Sequence, residues 1–145
     1  MRPQGIVIHH SFTKDSSTKS WDAIKRYHIE EMGWSDIGYH CGIEDIDGVL
    51  TVLQGRPIEQ SGAHTKDFNQ SVGICLVGNY DDEVPSKERI ELLVDTTLGY
   101  LEQFPFLTPS NVFPHNHFAS YKSCPGKLFP WDEFITKLWQ KWRET

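Results

Sequence analysis

The sequence predicts an α/β fold: a central mixed β-sheet of about five to six strands flanked by three main helices. Strand-like and helix-like segments follow in the order β-α-β-β-β-α-β-α, the alternation of a layered α/β architecture. The run "SVGICLVG" (71–78) is almost continuously apolar, as expected of a strand covered on both faces. Two later stretches carry apolar residues at the 3.6-residue helical period.

Each element has its own signal. "GIVIHH" (5–10) is rich in β-branched residues and reads as a short buried strand. "SFTKDSSTKS" (11–20) is a polar loop. Ser20 can cap a helix over 21–32 that turns Ala23, Ile24, Tyr27 and His28 to one face and stops at Gly33. Residues 38–55 form a hairpin around Asp47-Gly48, a strong two-residue turn signal. Pro85 and Ser86 open a helix reaching Phe104, with Ile90, Leu93, Val94, Thr97, Leu101 and Phe104 on its apolar side. "NVFPH" (111–115) is a last short strand ending at His115. The final helix, 131–143, buries Phe134, Ile135, Leu138 and Trp142.

With 145 residues, 38% of them hydrophobic, the chain suits one domain over 1–145 with a real core. Its net charge of −6 and lack of a basic stripe argue against nucleic acid. Cys41, Cys75 and Cys124 are too few and too widely spaced for a disulfide framework. Cys41 and Cys75 lie in apolar runs and read as small core residues. The short apolar run near the N-terminus, Ile6 to Ile8, is too short for a secretory leader. No stretch approaches the roughly 20 apolar residues of a membrane span. The expectation is a chain made in the cytoplasm with no membrane anchor.

The stretch "PHNHFASYKSCPGK" (114–127) gathers His115, His117, Lys122 and Cys124 in a turn-rich segment. His9, Tyr39 and His115 each lie at the end of a predicted strand, where ligands gather in α/β folds. Two imidazoles and one thiolate make a three-donor zinc site with a fourth position left for water. A lysine beside that position can hold a developing oxyanion. Any one of the seven histidines alone reads as a core or surface residue, Lys122 as a solvated charge and Tyr39 as a packed aromatic.

Several segments in order carry a resemblance over nearly the whole chain: "IVIHHS", "IKRYHIEEMGWSDIGYH", "SGAHTKDFNQSVGICLVGNYDD" and "YKSCPGK". The sequence resembles the zinc-dependent N-acetylmuramoyl-L-alanine amidases of the type-2 family, related to the peptidoglycan recognition proteins. Within that family it is most similar to the short phage lysozymes with amidase activity. The resemblance implies one zinc ion held by His9, Cys124 and a second histidine. It also implies a tyrosine that assists catalysis at Tyr39, a transition-state lysine at Lys122, and His64 near the substrate groove. Trp34 and the polar residues of 61–70 are expected to line that groove. Relatives place their second ligand histidine eight residues before the cysteine, where this chain has Asn116. His115 is preferred over His117 because an apolar residue, Phe118, follows it at the family's spacing of three.

The implied reaction is hydrolysis of the amide between the lactyl group of N-acetylmuramic acid and L-alanine. The implied partner is peptidoglycan, and the protein is expected to act as a monomer on the wall after the membrane is permeabilised. Three rival readings remain at this stage. They are a non-catalytic peptidoglycan-binding module, a cysteine hydrolase with Cys124 as nucleophile, and an amidase that recycles soluble muropeptides.

Overall fold

The computed structural model describes residues 1–12 and 20–145; most of the expected polar loop at 11–20 lies outside the described residues. Five strands form one sheet: β1 (Ile6–His10), β2 (Cys41–Ile46), β3 (Val49–Gln54), β4 (Val72–Leu76) and β5 (Val112–Pro114). Their spatial order is β3-β2-β4-β1-β5. β1 runs parallel to both β4 and β5, and β2 runs parallel to β4; only the β2–β3 hairpin is antiparallel. The mixed sheet of the sequence reading is therefore present.

The helices follow their caps. α1 (Trp21–Glu30) starts at Ser20, whose Oγ accepts the Ala23 N–H at 3.2 Å. α2 (Lys87–Gln103) starts at Ser86, whose Oγ accepts the Arg89 N–H at 3.2 Å. Each cap satisfies a backbone donor that the first helical turn leaves without a partner. α3 spans Trp131–Arg143, the range expected. The hairpin turns at Asp47 (φ 52°) and Gly48 (φ 85°), the paired left-handed conformation that matches strand twist.

Alternation along the strands gives the sheet two different faces. Ile6, Ile8, Ile74 and Leu76 join Ile90, Leu93, Leu101, Phe134 and Leu138 in the main core, beneath α2 and α3. Cys75 and Val77 point to the other face, where they pack with Trp21 and Ile37. Two glycines on that face admit large rings. A Cβ on Gly42 would lie 2.2 Å from the Trp21 ring, and one on Gly73 would lie 2.5 Å from the His64 ring.

Two local expectations need correction. α1 does not turn Tyr27 inward; Tyr27 is 55% exposed, and Trp21 at the first helical position is the residue buried. The indole fits because Gly42 clears the sheet below it, a tertiary accommodation that helical period cannot reveal. β5 ends at Pro114 rather than at His115, which opens a short 3-10 turn over His115–His117.

Trp21→Ala should cost about 3–5 kcal/mol of unfolding free energy, the range for emptying an aromatic core site. Tyr27→Ala should change stability by no more than about 0.5 kcal/mol. Urea denaturation of the two variants measures the contrast.

Candidate active site

His9 occupies the penultimate position of β1 and is 1% exposed. Its register partner on β4 is Cys75. The turn after β5 delivers His115, 8% exposed, with ring centroid 4.5 Å from that of His9. Cys124 comes from the loop before α3, and its Sγ lies 3.7 Å from His9 Nδ1. One donor atom each from His9, His115 and Cys124 fall within 4.8 Å of one another. Bond lengths of about 2.0–2.3 Å to a tetrahedral zinc put donor atoms roughly 3.3–3.7 Å apart, so the set fits such an ion with small closure.

The structure brings His115, not His117, to this group. His117 is exposed and stacks on Phe113 at 5.0 Å. The 3-10 turn separates them: it sends residue 115 inward and residue 117 out.

A clip holds the cysteine loop. Asp81, just beyond β4, accepts the Ser123 hydroxyl at 2.8 Å and the Lys127 N–H at 2.8 Å. Leu128 N–H donates to the Tyr80 carbonyl at 2.8 Å. The sulfur itself accepts the His10 N–H at 3.4 Å. Gly126 sits at φ 125°, and a Cβ there would come within 2.5 Å of the Tyr80 backbone, so the "CPGK" turn requires glycine.

Burial controls the protonation of the donors. Desolvation, with the charges of neighbouring groups, holds His9 well below its ordinary pKa and lowers His115 to about 4. Both are therefore neutral at pH 7 and offer lone pairs. Burial pushes the Cys124 thiol up to about 12, against the pull of the His10 N–H and the Lys122 charge. A divalent cation beside the sulfur reverses that preference, because a coordinating thiol is deprotonated outright.

Tyr39 lies beside His9 with ring centroids 5.1 Å apart. Burial first, then the neighbouring Cys75 and Cys124 sulfurs, raise its pKa well above the usual value. It stays a neutral phenol, suited to donate or orient rather than to act as a base. Its backbone is fixed by Gly55, where a Cβ would lie 2.1 Å from the Tyr39 carbonyl oxygen. Lys122 is exposed at the rim, and its charge is felt by His9, His115 and Cys124 alike.

These groups line a cavity of about 650 Å³ that also includes Trp34, His64 and Tyr121. A second cavity of about 490 Å³ continues past Trp34, His64 and Lys122 to Lys66, Asp67 and Asn69. His64 is placed between them, but both of its ring nitrogens have protein partners.

Four supporting residues escaped the sequence reading. His28 Nδ1 accepts the Gly38 N–H at 3.0 Å, tying α1 to the segment that carries Tyr39. His40 Nδ1 accepts the Gly73 N–H at 3.0 Å, while its Nε2–H donates to the Gln60 carbonyl at 2.7 Å. Both lie in the quoted "HIEEMGWSDIGYH" segment, so their signal was visible but their role was not. Asp81 lies in a quoted segment but was given no role, and Cys75 was read only as a small core residue; its thiol also meets the Tyr39 hydroxyl.

An open α/β sheet with nitrogen and sulfur donors gathered in a cleft at a strand end defines a protein with a metal-competent centre. The family model for N-acetylmuramoyl-L-alanine amidases matches residues 1–127, and the chain belongs to that family. It is 43% identical over 130 residues to the endolysin of Escherichia phage T7, covering 83% of this chain and 79% of that one. It is 30% identical over 143 residues to peptidoglycan-recognition protein SC2 of Drosophila melanogaster, covering 94% and 74%. The solved N-acetylmuramoyl-L-alanine amidase LysC of Clostridium intestinale superposes with a TM-score of 0.80 at 27% identity, covering 95% of this chain and 86% of that one. The chain is accordingly an amidase, as the sequence resemblance implied.

Six histidines, His9, His10, His28, His40, His64 and His115, are held below their ordinary pKa, each chiefly by burial. Each takes up a proton more readily when unfolded, near pH 6.5, than when folded. In metal-free protein, stability is thus full above about pH 6.5 and is lost as pH falls toward the folded values. Urea midpoints should drop between about pH 7 and pH 5; a flat profile contradicts the assignment. His115→Ala should abolish metal uptake and His117→Ala should preserve it, as read by metal content after gel filtration.

Proposed function

We propose that the protein is a zinc-dependent amidase that cleaves the bond between N-acetylmuramic acid and L-alanine in peptidoglycan. The observation that carries this reading is the convergence of His9, His115 and Cys124 beneath a cleft that also presents Tyr39 and Lys122. The two imidazoles and the thiolate would hold the zinc. When bound, zinc supplies Lewis acidity that makes water nucleophilic near neutral pH and polarises a carbonyl.

The chain's own groups do the rest. Lys122, at the cleft rim, places a positive charge where negative charge develops on the lactyl carbonyl oxygen. Tyr39 offers its phenol O–H to orient the attacking water or the same oxygen. Trp34 presents an aromatic wall to the substrate, and His64 contributes the edge of its ring to the floor between the two cavities. The two cavities share Trp34, His64, His115 and Lys122 in their walls, which gives room for an extended stem peptide.

Similarity to phage endolysins supports a role in lysis of the bacterial wall. A solved relative, Drosophila PGRP-LB at 26% identity with a TM-score of 0.74, was determined in complex with tracheal cytotoxin, which supports a peptidoglycan-derived ligand for this cleft. Retention of Cys124, Tyr39 and Lys122 around the donor group favours catalysis over simple binding. A thiol-nucleophile reading is opposed by the pKa of Cys124, raised where a catalytic thiol needs it lowered.

Metal analysis joined to mass spectrometry of digested sacculi tests the proposal. One zinc per chain, and stem peptides released with a free L-alanine amine, are expected; a metal-free active protein overturns it. Cys124→Ala should lose both zinc and hydrolysis. Lys122→Ala should keep zinc and lose about 100-fold in turnover, the scale of a missing oxyanion donor. Full turnover in that variant removes Lys122 from the mechanism.

A further inference from the structure

His64 is more rigidly placed than a residue reserved for substrate needs to be. Its own N–H and that of Thr65 both donate to Asn69 Oδ1, each at 2.8 Å. Its ring lies against Gly62 and Gly73, where a Cβ would approach within 2.3 and 2.5 Å. No larger side chain fits at either position while the ring stays where it is.

The hydrogen bonds around that ring dictate where the protons are. The Ser71 carbonyl can only accept, so His64 Nε2, 3.1 Å away, carries the hydrogen. A neutral imidazole has one N–H, which leaves His64 Nδ1 as a lone pair. That lone pair faces His9 Nε2 at 3.0 Å. Two lone pairs at this distance repel, so His9 Nε2 is the donor. The proton of His9 then lies on the far side of the ring from Cys124, and His9 Nδ1 is left open toward the sulfur. The Thr65 hydroxyl, 1% exposed, braces the pair at 2.8 Å from His64 Nδ1 and 3.3 Å from His9 Nε2.

His10, His28 and His40 use Nδ1 differently: each accepts a backbone N–H there, from Tyr80, Gly38 and Gly73 respectively. His9 differs from these three in having its Nδ1 directed at a thiol.

We infer that His64, anchored by the Ser71 carbonyl and braced by Thr65, is a positioning residue that sets the tautomer and ring orientation of His9 and so presents His9 Nδ1 to the metal. This rests on the zinc reading above. Partners of this kind commonly account for 10- to 100-fold in metal affinity.

Long-range proton–nitrogen NMR on metal-free, 15N-labelled protein reads the tautomers directly. His9 and His64 should both be protonated at Nε2, and zinc should move the His9 Nδ1 signal while leaving the His64 tautomer unchanged. His64→Leu removes the acceptor. It should leave His9 in mixed tautomers and weaken zinc, measured by chelator competition, by roughly 10- to 100-fold. His64→Asn, whose Oδ1 can take the place of Nδ1, should restore most of that affinity; a purely space-filling role predicts no such rescue.

A wild-type His9 protonated at Nδ1 overturns the inference, as does a folded His64→Leu protein with native zinc affinity. Should His64→Leu fail to fold, the wild-type spectrum alone decides. Absence of zinc uptake by the wild-type protein instead sinks the proposed function, and the metal-free spectrum still reports the tautomers.

Discussion

The structure depends on the position of β1 between β4 and β5. This strand is buried along its whole length, and its backbone is paired on both sides. The apolar half, Ile6 to Ile8, is the reason it can be central. Its last two residues are histidines, and the pairing that buries the isoleucines buries them too. Two polar rings are thereby carried into dry surroundings at a fixed height above the sheet.

That placement has an electrostatic cost which the surrounding residues meet in one consistent way. Burial removes the charged forms of the histidines, so each ring must satisfy its one N–H and one lone pair inside the protein. His10, His28 and His40 do so by accepting a backbone N–H, and they act as struts between loops. His9 and His115 retain donor atoms that converge with a sulfur, and it is this leftover capacity that gives the cleft its chemistry. His9 is set apart from these struts by its Nδ1, which faces a sulfur instead of a backbone N–H.

Much of the fold was legible because its signals are local. The caps Ser20 and Ser86, the Asp47-Gly48 turn and the apolar period of α2 each depend on residues within a few positions of one another. The inward-facing residues of α2 were all recovered for the same reason. Trp21 was missed because its burial depends on Gly42, a residue on a strand farther along the chain. At the site, the family resemblance carried by several motifs in order nominated His9, Tyr39, His64, His115, Lys122 and Cys124; residue type alone left each as an ordinary core or surface side chain. His115 was preferred to His117 on its spacing to Phe118, while the short 3-10 turn that parts the two side chains was not visible in that spacing. The roles of the struts and of the Asp81 clip were illegible: apart from the Ser123 hydroxyl, they work through backbone groups, which every residue possesses.

The Asp81 clip has a consequence for how the centre is filled. By gripping the chain on both sides of Cys124, this one carboxylate removes most of the freedom of a segment that is more than a hundred residues from His9 in sequence. A metal ion held there would meet a socket already cast, and little of its binding energy would be spent on gathering the polypeptide around it. Tightness of capture becomes a property of the loop architecture as much as of the donor atoms.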